Sequence, residues 1–236
     1  MLGLGNSITS SAFYGEAAWT PASLGSKLKV WLKNDTDILE GASDPAEDGD
    51  DVTQWSDQSG NNNHGVSSSN YFHYDESTGG LISEVGTNQK MNLTSQITVS
   101  GKFALYMRVS FSSISTGAND LFFYDKDSSS ADFFRIQSTT ELRGKINNGV
   151  VRKFTQTTQS LDTFYNYGIE RNNDNDLLAF RDNTALSAIT AINDAGALDI
   201  DAIGGSFDGT IKEVVICNDS LSSSERTELQ TYLASI

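Results

Sequence analysis

The sequence predicts an all-β fold: one two-sheet antiparallel β-sandwich of jelly-roll type, with a short C-terminal helix and an N-terminal arm. Three observations predict it. Short apolar runs with two-residue alternation recur along the chain, separated by clusters of Asn, Asp, Ser and Gly. The 236 residues contain 20 glycines and only 2 prolines, so turns are frequent and few strands are interrupted by a residue that cannot donate. A Trp-anchored polar turn near the start, Trp55-Ser56-Asp57-Gln58-Ser59-Gly60-Asn61, is matched near the end by a glycine-bounded strand and a helix. The two end blocks are expected to close on each other. The predicted division is residues 1–18 as an arm and 19–236 as one sandwich domain, since no linker and no repeat of 20–50 residues interrupts the pattern.

Taken in order, the first 18 residues have no clear period and are broken by Gly3 and Gly5, which predicts an extended arm. Its apolar side chains, Leu2, Leu4, Ile8, Phe13 and Tyr14, are the candidates for packing on this domain or on a neighbouring subunit. Thr20, Pro21 and Gly25 have the order of an N-cap, a first helical residue and a stop, which predicts one helical turn. Residues 28–32 alternate as a strand, and residues 44–51 form an acidic loop without the ligand order of a calcium-binding EF-hand.

Further strands follow. Phe103, Leu105, Met107 and Val109 share one face of a strand. Residues 121–124 and 132–136 flank a polar turn, and residues 141–146 end at Asn147-Asn148-Gly149, with residues 150–154 placed to pair back as a hairpin. In residues 164–171, Phe164, Tyr167 and Ile169 are candidates for burial, with a register break expected near Asn166. An Asn/Asp turn at 172–176 leads to a strand at 177–181. Ser222 followed by Glu225 is a capping box, and Leu229, Tyr232 and Leu233 share one face of the helix it starts.

Composition excludes several classes. The net charge of −15 disfavours nucleic acid and anionic membranes as partners and favours solubility. Cys217 is the sole cysteine, so no internal disulfide forms; its place in the apolar run Val214-Val215-Ile216 predicts a buried, inert thiol. The opening segment lacks a basic region followed by an apolar run, which predicts no signal peptide, and no apolar stretch is long enough to span a bilayer. Two histidines, His64 and His73, do not suffice for a His-rich zinc site, and no nucleotide or nucleophile-elbow motif is present. No cofactor is expected. Asp125, Asp127, Asp174 and Asp176 are the loop carboxylates best placed to hold calcium if any metal binds. In the turn, Asp57 and Ser59 are expected to bind backbone N–H groups. Gly60 supplies positive φ, Asn61 tolerates it, and Trp55 anchors the loop.

The residues Val30-Trp31-Leu32 and Trp55 to Asn61, together with Gly209-Thr210-Ile211-Lys212-Glu213-Val214-Val215-Ile216 and Leu221-Ser222-Ser223-Ser224-Glu225, resemble the opening and closing blocks of laminin-G-like, concanavalin A-like lectin/glucanase domains. The resemblance covers roughly residues 27–233 and implies a two-sheet antiparallel jelly roll. The opening Met1 to Thr9 is similar to the start of structural proteins of T4-like marine cyanophages. Glucanases of the former family carry paired acids in a Glu-x-Asp-x-Glu run on one strand face. This chain has no such run, and Asp199 and Asp201 alternate without a third acid.

No catalytic residue is therefore expected. The functional expectation is a non-catalytic bacteriophage virion protein of the capsid or tail surface, located in the virion, whose arm and sandwich contact other virion proteins or further copies of itself. The alternative is a carbohydrate-binding adhesin for a cell-surface glycan, with Tyr71, Phe72 and Tyr74 around His73 as a stacking platform unless the fold buries them.

Overall fold

The computed structural model describes residues 18–84, 88–114, 120–206 and 208–236. The arm candidates Leu2, Leu4, Ile8, Phe13 and Tyr14 lie outside the described residues. In chain order the strands are β1 (Leu28–Leu32), β2 (Ile38–Leu39), β3 (Asp51–Val52), β4 (Gln54–Trp55), β5 (Gly65–Val66), β6 (Phe72–Asp75), β7 (Gly80–Ser83), β8 (Lys90–Val99), β9 (Phe103–Phe111) and β10 (Asp120–Tyr124). They continue with β11 (Phe133–Ser138), β12 (Glu141–Lys145), β13 (Arg152–Thr155), β14 (Tyr165–Arg171), β15 (Leu177–Arg181), β16 (Thr184–Ala185), β17 (Ser187–Ala188), β18 (Leu198–Gly204) and β19 (Gly209–Cys217). A 3₁₀ segment, Pro21–Lys27, precedes them and one helix, α1 (Ser223–Ala234), follows. None of the described helices is long and apolar enough to cross a membrane.

The strands form two antiparallel sheets. The first runs β16-β15-β14-β9-β19-β7-β6-β3, with β1 also paired to β19; the second runs β17-β13-β12-β11-β10-β18-β8-β5-β4-β2. One edge of β19 pairs with β9 along its length. Its other edge is shared: Gly209 to Ile211 pair with β7, and Val214 to Cys217 with β1. The two ends of the described chain thus meet on one strand. Trp19 packs on Tyr232 at 6.3 Å between ring centroids, and Lys27 Nζ bonds Glu225 at 2.7 Å.

Facing side chains of the two sheets make the main core, with Trp55, Phe72, Phe111, Phe122, Phe134, Phe154 and Tyr167 among its largest members. Both faces of β9 and β14 are buried, because the first sheet is covered twice. Its inner face meets the second sheet. Its outer face meets α1 and the 3₁₀ segment through Leu24, Leu28, Trp31, Tyr106, Val215, Leu229 and Leu233. A period-two pattern with both phases apolar is the signature of such a sheet. The pairing of β14 with β9 runs unbroken from Tyr165↔Val109 to Arg171↔Phe103, so there is no register break at Asn166. Asn166 looked out of phase because its carboxamide is needed under the helix, where Nδ2 donates to the Gln230 carbonyl at 3.0 Å.

The Asn/Asp-rich composition has a backbone cause. Of the twelve non-glycine residues described with positive φ, all but Ser206 are Asn or Asp, the residues that tolerate the left-handed region best after glycine. Asp182 (φ 48°) and Asn183 (φ 63°) are adjacent and close the two-residue β15–β16 hairpin in the sense that matches strand twist.

Three charged side chains are buried with full sets of partners. Arg171 donates to the carbonyls of Val99, Gly101, Asp194 and Gly196 at 2.6–3.3 Å, tying two loops to the end of β14. Glu170 receives a two-pronged contact from Arg226 (2.7 and 2.8 Å) and the Tyr106 hydroxyl at 2.5 Å. Glu213 accepts from Trp31 Nε1 at 2.5 Å and from Asn34 N at 3.0 Å, and burial raises its pKa. Each satisfies a charge that would otherwise cost several kcal/mol to bury.

Candidate functional site

The Trp55 turn is a structural joint. Asp57 Oδ1 accepts from Trp31 N and Ser59 N, both at 2.9 Å; Oδ2 accepts from Asn63 N at 2.9 Å and from Ser59 Oγ at 2.8 Å. One carboxylate thereby fastens β1 to the loop and leaves no free lone pair for a ligand. Asn61 Nδ2 donates to the carbonyls of Leu28 and Lys29, and Trp55 Nε1 donates to the Lys33 carbonyl at 2.9 Å. Gly60 has the expected positive φ of 85°, but the second left-handed residue is Asn62 (φ 58°), not Asn61, whose side chain is committed to β1.

The loop acids separate into two unrelated places. Asp125 and Asp127 meet Asp201, their carboxylate oxygens within 4.8 Å of one another. Lys126 already supplies the cation: its ammonium pairs with Asp201 in a short contact and with Asp127 at 3.2 Å. A lysine seated beside the acids supplies the charge balance that a bound cation would otherwise supply. Asp174 and Asp176 lie in the β14–β15 turn, where their backbone N–H groups both donate to Asn172 Oδ1 at 2.9 Å. The turn holds itself, and among the described residues these two acids join no group of three metal-ligating side chains. The aromatic segment around His73 is largely buried, the alternative to a stacking platform. Phe72 and Tyr74 are buried in the core, with 1% and 7% exposure, and Tyr74 donates to Asp35 at 2.5 Å. Cys217 is buried, as its apolar surroundings predicted, and burial raises its thiol to about 12.

A polar surface groove lies elsewhere, around the tip of the β15–β16 hairpin. A groove of about 480 Å³ runs between that tip and the C-terminal half of α1, lined by Arg108, Phe164, Asn166, Asp182, Asn183 and Gln230, with Thr231 and Ala234 at its rim. The strand pairing sets its floor, because Asn166 lies opposite Arg108 in the β14–β9 ladder. Asn166 Oδ1 then accepts from Arg108 Nη1 at 2.8 Å, and Asn166 N donates to Asp182 Oδ1 at 2.9 Å. The Phe164 ring is half-buried between two cations, Arg108 at 5.5 Å and Lys212 at 4.8 Å from its centre. Burial first, then the Arg108 charge, lowers the Lys212 ammonium. Gln230 is only 3% exposed, yet its carboxamide oxygen and nitrogen have no partner in the protein.

Asp182 also borders a second groove of about 390 Å³, lined by Thr155, Gln156, Thr157, Arg181 and residues 184–187. Gln156, 5% exposed, has an unpartnered Nε2 here; its Oε1 accepts from the Tyr167 hydroxyl at 2.9 Å and from Arg181 Nη1 at 3.1 Å. The Arg181 guanidinium stacks on Tyr165 at 5.0 Å. The two grooves make one trough divided by Asp182. Its chemistry is planar amides, guanidinium groups, one carboxylate and an aromatic ring. Such a set donates and accepts hydrogen bonds in fixed directions and offers a face for an apolar patch.

The sequence reading missed this trough because its residues come from β9, β14, a hairpin tip and α1, more than 120 positions apart at the extremes. One local signal was present. Gln230 sits beside Leu229 and three residues before Leu233, a polar residue on the packed side of an amphipathic helix.

No known family matches the chain by sequence, and no curated protein matches it by sequence. Its backbone is similar to solved structures. Trypanosoma rangeli sialidase in complex with 2,3-difluorosialic acid superposes with a TM-score of 0.60 at 16% identity over 91% of this chain and 33% of the sialidase chain. The binding domain of Paraclostridial Mosquitocidal Protein 1 gives 0.64 at 11% identity, over 92% of this chain and 53% of that one. Botulinum neurotoxin type C, in a structure titled for its interaction with two ganglioside molecules, gives 0.57 at 11% identity, over 91% and 53%. The chain thus spans a third to about half of these proteins. What it shares with them is the fold, a two-sheet antiparallel β-sandwich.

Proposed function

We propose that this chain is a non-catalytic carbohydrate-binding module that holds a sugar in the trough around Asp182. The observation that carries the reading is the unpartnered carboxamide of Gln230 and the unpartnered Nε2 of Gln156, in grooves that share Asp182, with the half-exposed Phe164 ring beside Gln230. Leaving buried amide groups unpaired costs about 1–3 kcal/mol each. A ligand dense in hydroxyl groups, each both donor and acceptor, recovers that cost, and its C–H face can rest on Phe164. Most glycoside hydrolases place two carboxyl groups across the scissile bond; the residues lining the trough supply Asp182 alone. That favours binding over turnover. Support also comes from proteins of similar fold that are described as a binding domain and as interacting with gangliosides.

The test is a glycan array followed by calorimetry on the best binder, with Phe164→Ala and Gln230→Leu. Each substitution is expected to weaken binding about tenfold, the size of one lost stacking or hydrogen-bonding contact, with thermal stability retained. Binding unaffected by both, or an array without any binder, would overturn the reading. Added calcium is expected to change nothing.

A second reading keeps the virion placement: the sandwich is a building block or surface attachment module of a phage particle, fastened by residues 1–18. The likeness of Met1 to Thr9 to cyanophage structural proteins favours it. Mass spectrometry of purified particles checks it directly, and deletion of residues 1–18 is expected to abolish incorporation.

A further inference from the structure

The outer face of the second sheet carries an arrangement that the trough does not use. Strand alternation and burial fix which side chains point outward. Phe134 and Ile136 of β11, Leu142 of β12 and Phe154 of β13 belong to the core. A Cβ on Gly144 would strike the core side chains Ile169 and Leu177, so Gly144 also faces inward. Arg135, Arg143 and Lys153 therefore face outward. The register places Arg135 directly opposite Arg143, and Arg143 directly opposite Lys153. Three cations stand in one cross-strand row, neighbours separated by about 5 Å, a spacing at which like charges destabilise a sheet.

The chain has 16 Lys and Arg against 31 Asp and Glu, so a row of three positive charges runs against its overall balance. Among the described residues one acid pairs with the row, Glu141, which accepts from Arg143 Nε at 2.5 Å. Among the described residues no ion pair involves Arg135 or Lys153. Arg135 is stacked on Phe133 at 4.4 Å, which fixes its guanidinium over the sheet, and its Nε is buried without a partner. Burial, then the Arg143 charge, lowers its pKa. Two residues along the same strand face, Gln137 has a buried side-chain oxygen that receives no hydrogen bond. The other sheet's outer face is closed by α1; this one is left with unanswered donors, charges and an acceptor.

We propose that the row Arg135–Arg143–Lys153 is a binding face for an acidic polysaccharide, one bearing carboxylate or sulfate groups along its length. Anionic groups answer the guanidinium and ammonium charges, and sugar hydroxyls supply the donor that Gln137 lacks. Nucleic acid is a poorer match, since among the described residues no exposed aromatic on this face offers bases a stack. The acidic surface around the row would confine a polyanion to this stripe. The trough touches the second sheet at Thr155 and Ser187, but Phe164 lines its other half, beside Arg108 and Asn166 of the first sheet, so the Phe164 side of the trough and the cationic row are separable by mutation.

The experiment measures binding of the full chain to three probes of matched length: a heparin oligosaccharide for sulfate, an oligogalacturonate for carboxylate, and a neutral dextran. The variants are the double Arg143→Gln/Lys153→Gln and, as the trough control, Phe164→Ala. At least one acidic probe is expected to bind, dextran is not expected to bind this face, and the double variant is expected to lose about tenfold or more in affinity along with some of its salt dependence. The double variant is also expected to be as thermally stable as the parent or more so, because like charges are removed. Acidic probes bound no better than dextran would overturn the proposal. So would unchanged affinity in the double variant, an equal loss in Phe164→Ala, or single-stranded DNA or anionic vesicles bound as tightly as the acidic sugars.

Discussion

Asp120 shows how one buried side chain can set the acid response of this protein. It is 6% exposed at the start of β10, and burial, with a smaller contribution from the Asp208 charge, raises its carboxyl to about 7. A folded pKa above the ordinary value means that the native state holds the proton more tightly than the unfolded chain between roughly pH 4 and 7. The contribution of this group is therefore favourable at low pH and is lost as pH rises through 7. Asp120→Asn removes the titration. Calorimetry across pH 3–8 should find the variant more stable than the parent at pH 8 and nearly equal to it at pH 4. Asp57, in contrast, was legible as a structural acid, because an Asp two residues before a Ser-Gly pair has an evident local partner in the turn's N–H groups. Its longer reach to Trp31 N was not, since nothing in the order of residues says that β1 runs beside the loop.

At the scale of elements, what could be read locally was read well. The strands Leu28–Leu32 and Leu177–Arg181 and the hairpin of β12 with β13 stand where alternation and turn residues placed them. The capping box is complete: Glu225 N donates to Ser222 Oγ at 3.2 Å and Ser222 N to Glu225 Oε2 at 2.7 Å. Ser222→Ala is expected to cost about 1 kcal/mol, read as a fall in the denaturant midpoint. The cost should be felt first by α1, whose amide protons should exchange faster than those of β9 and β14. The 3₁₀ segment was half legible. Pro21 opens it and the Thr20 carbonyl accepts from Ser23 N at 2.8 Å, but the Thr20 side chain makes no cap. Gly25, expected as the stop, instead turns the chain within the segment at φ 56°. Close packing between strands was beyond local reading. Gly168 of β14 looks like a weak point in its strand, yet a Cβ there would lie 2.1 Å from a ring atom of Tyr106, the residue opposite it on β9. The glycine makes room for that ring, which in turn reaches Glu170.

For the whole molecule, the sandwich was legible in outline and its two proposed binding surfaces were not. Two sheets follow from period-two runs and frequent turns, but the trough and the cationic row each depend on which strand lies beside which, a property of topology. Arg135, Arg143 and Lys153 are 18 residues apart from first to last and carry no motif; only the ladder lines them up. The meeting of both chain ends on β19 bears on how the molecule would answer a pull. Leu28, where β1 begins, faces Cys217, where β19 ends, so tension applied through residues 18 and 236 falls on one end of that ladder. Once α1 is stripped away, the pairs Leu28–Cys217, Val30–Ile216, Trp31–Val215 and Leu32–Val214 come undone in succession, like a zip, and never share the load. Handles moved to residues 28 and 209 would instead strain them together in shear, and a tether drawn out that way should withstand a greater force before it gives.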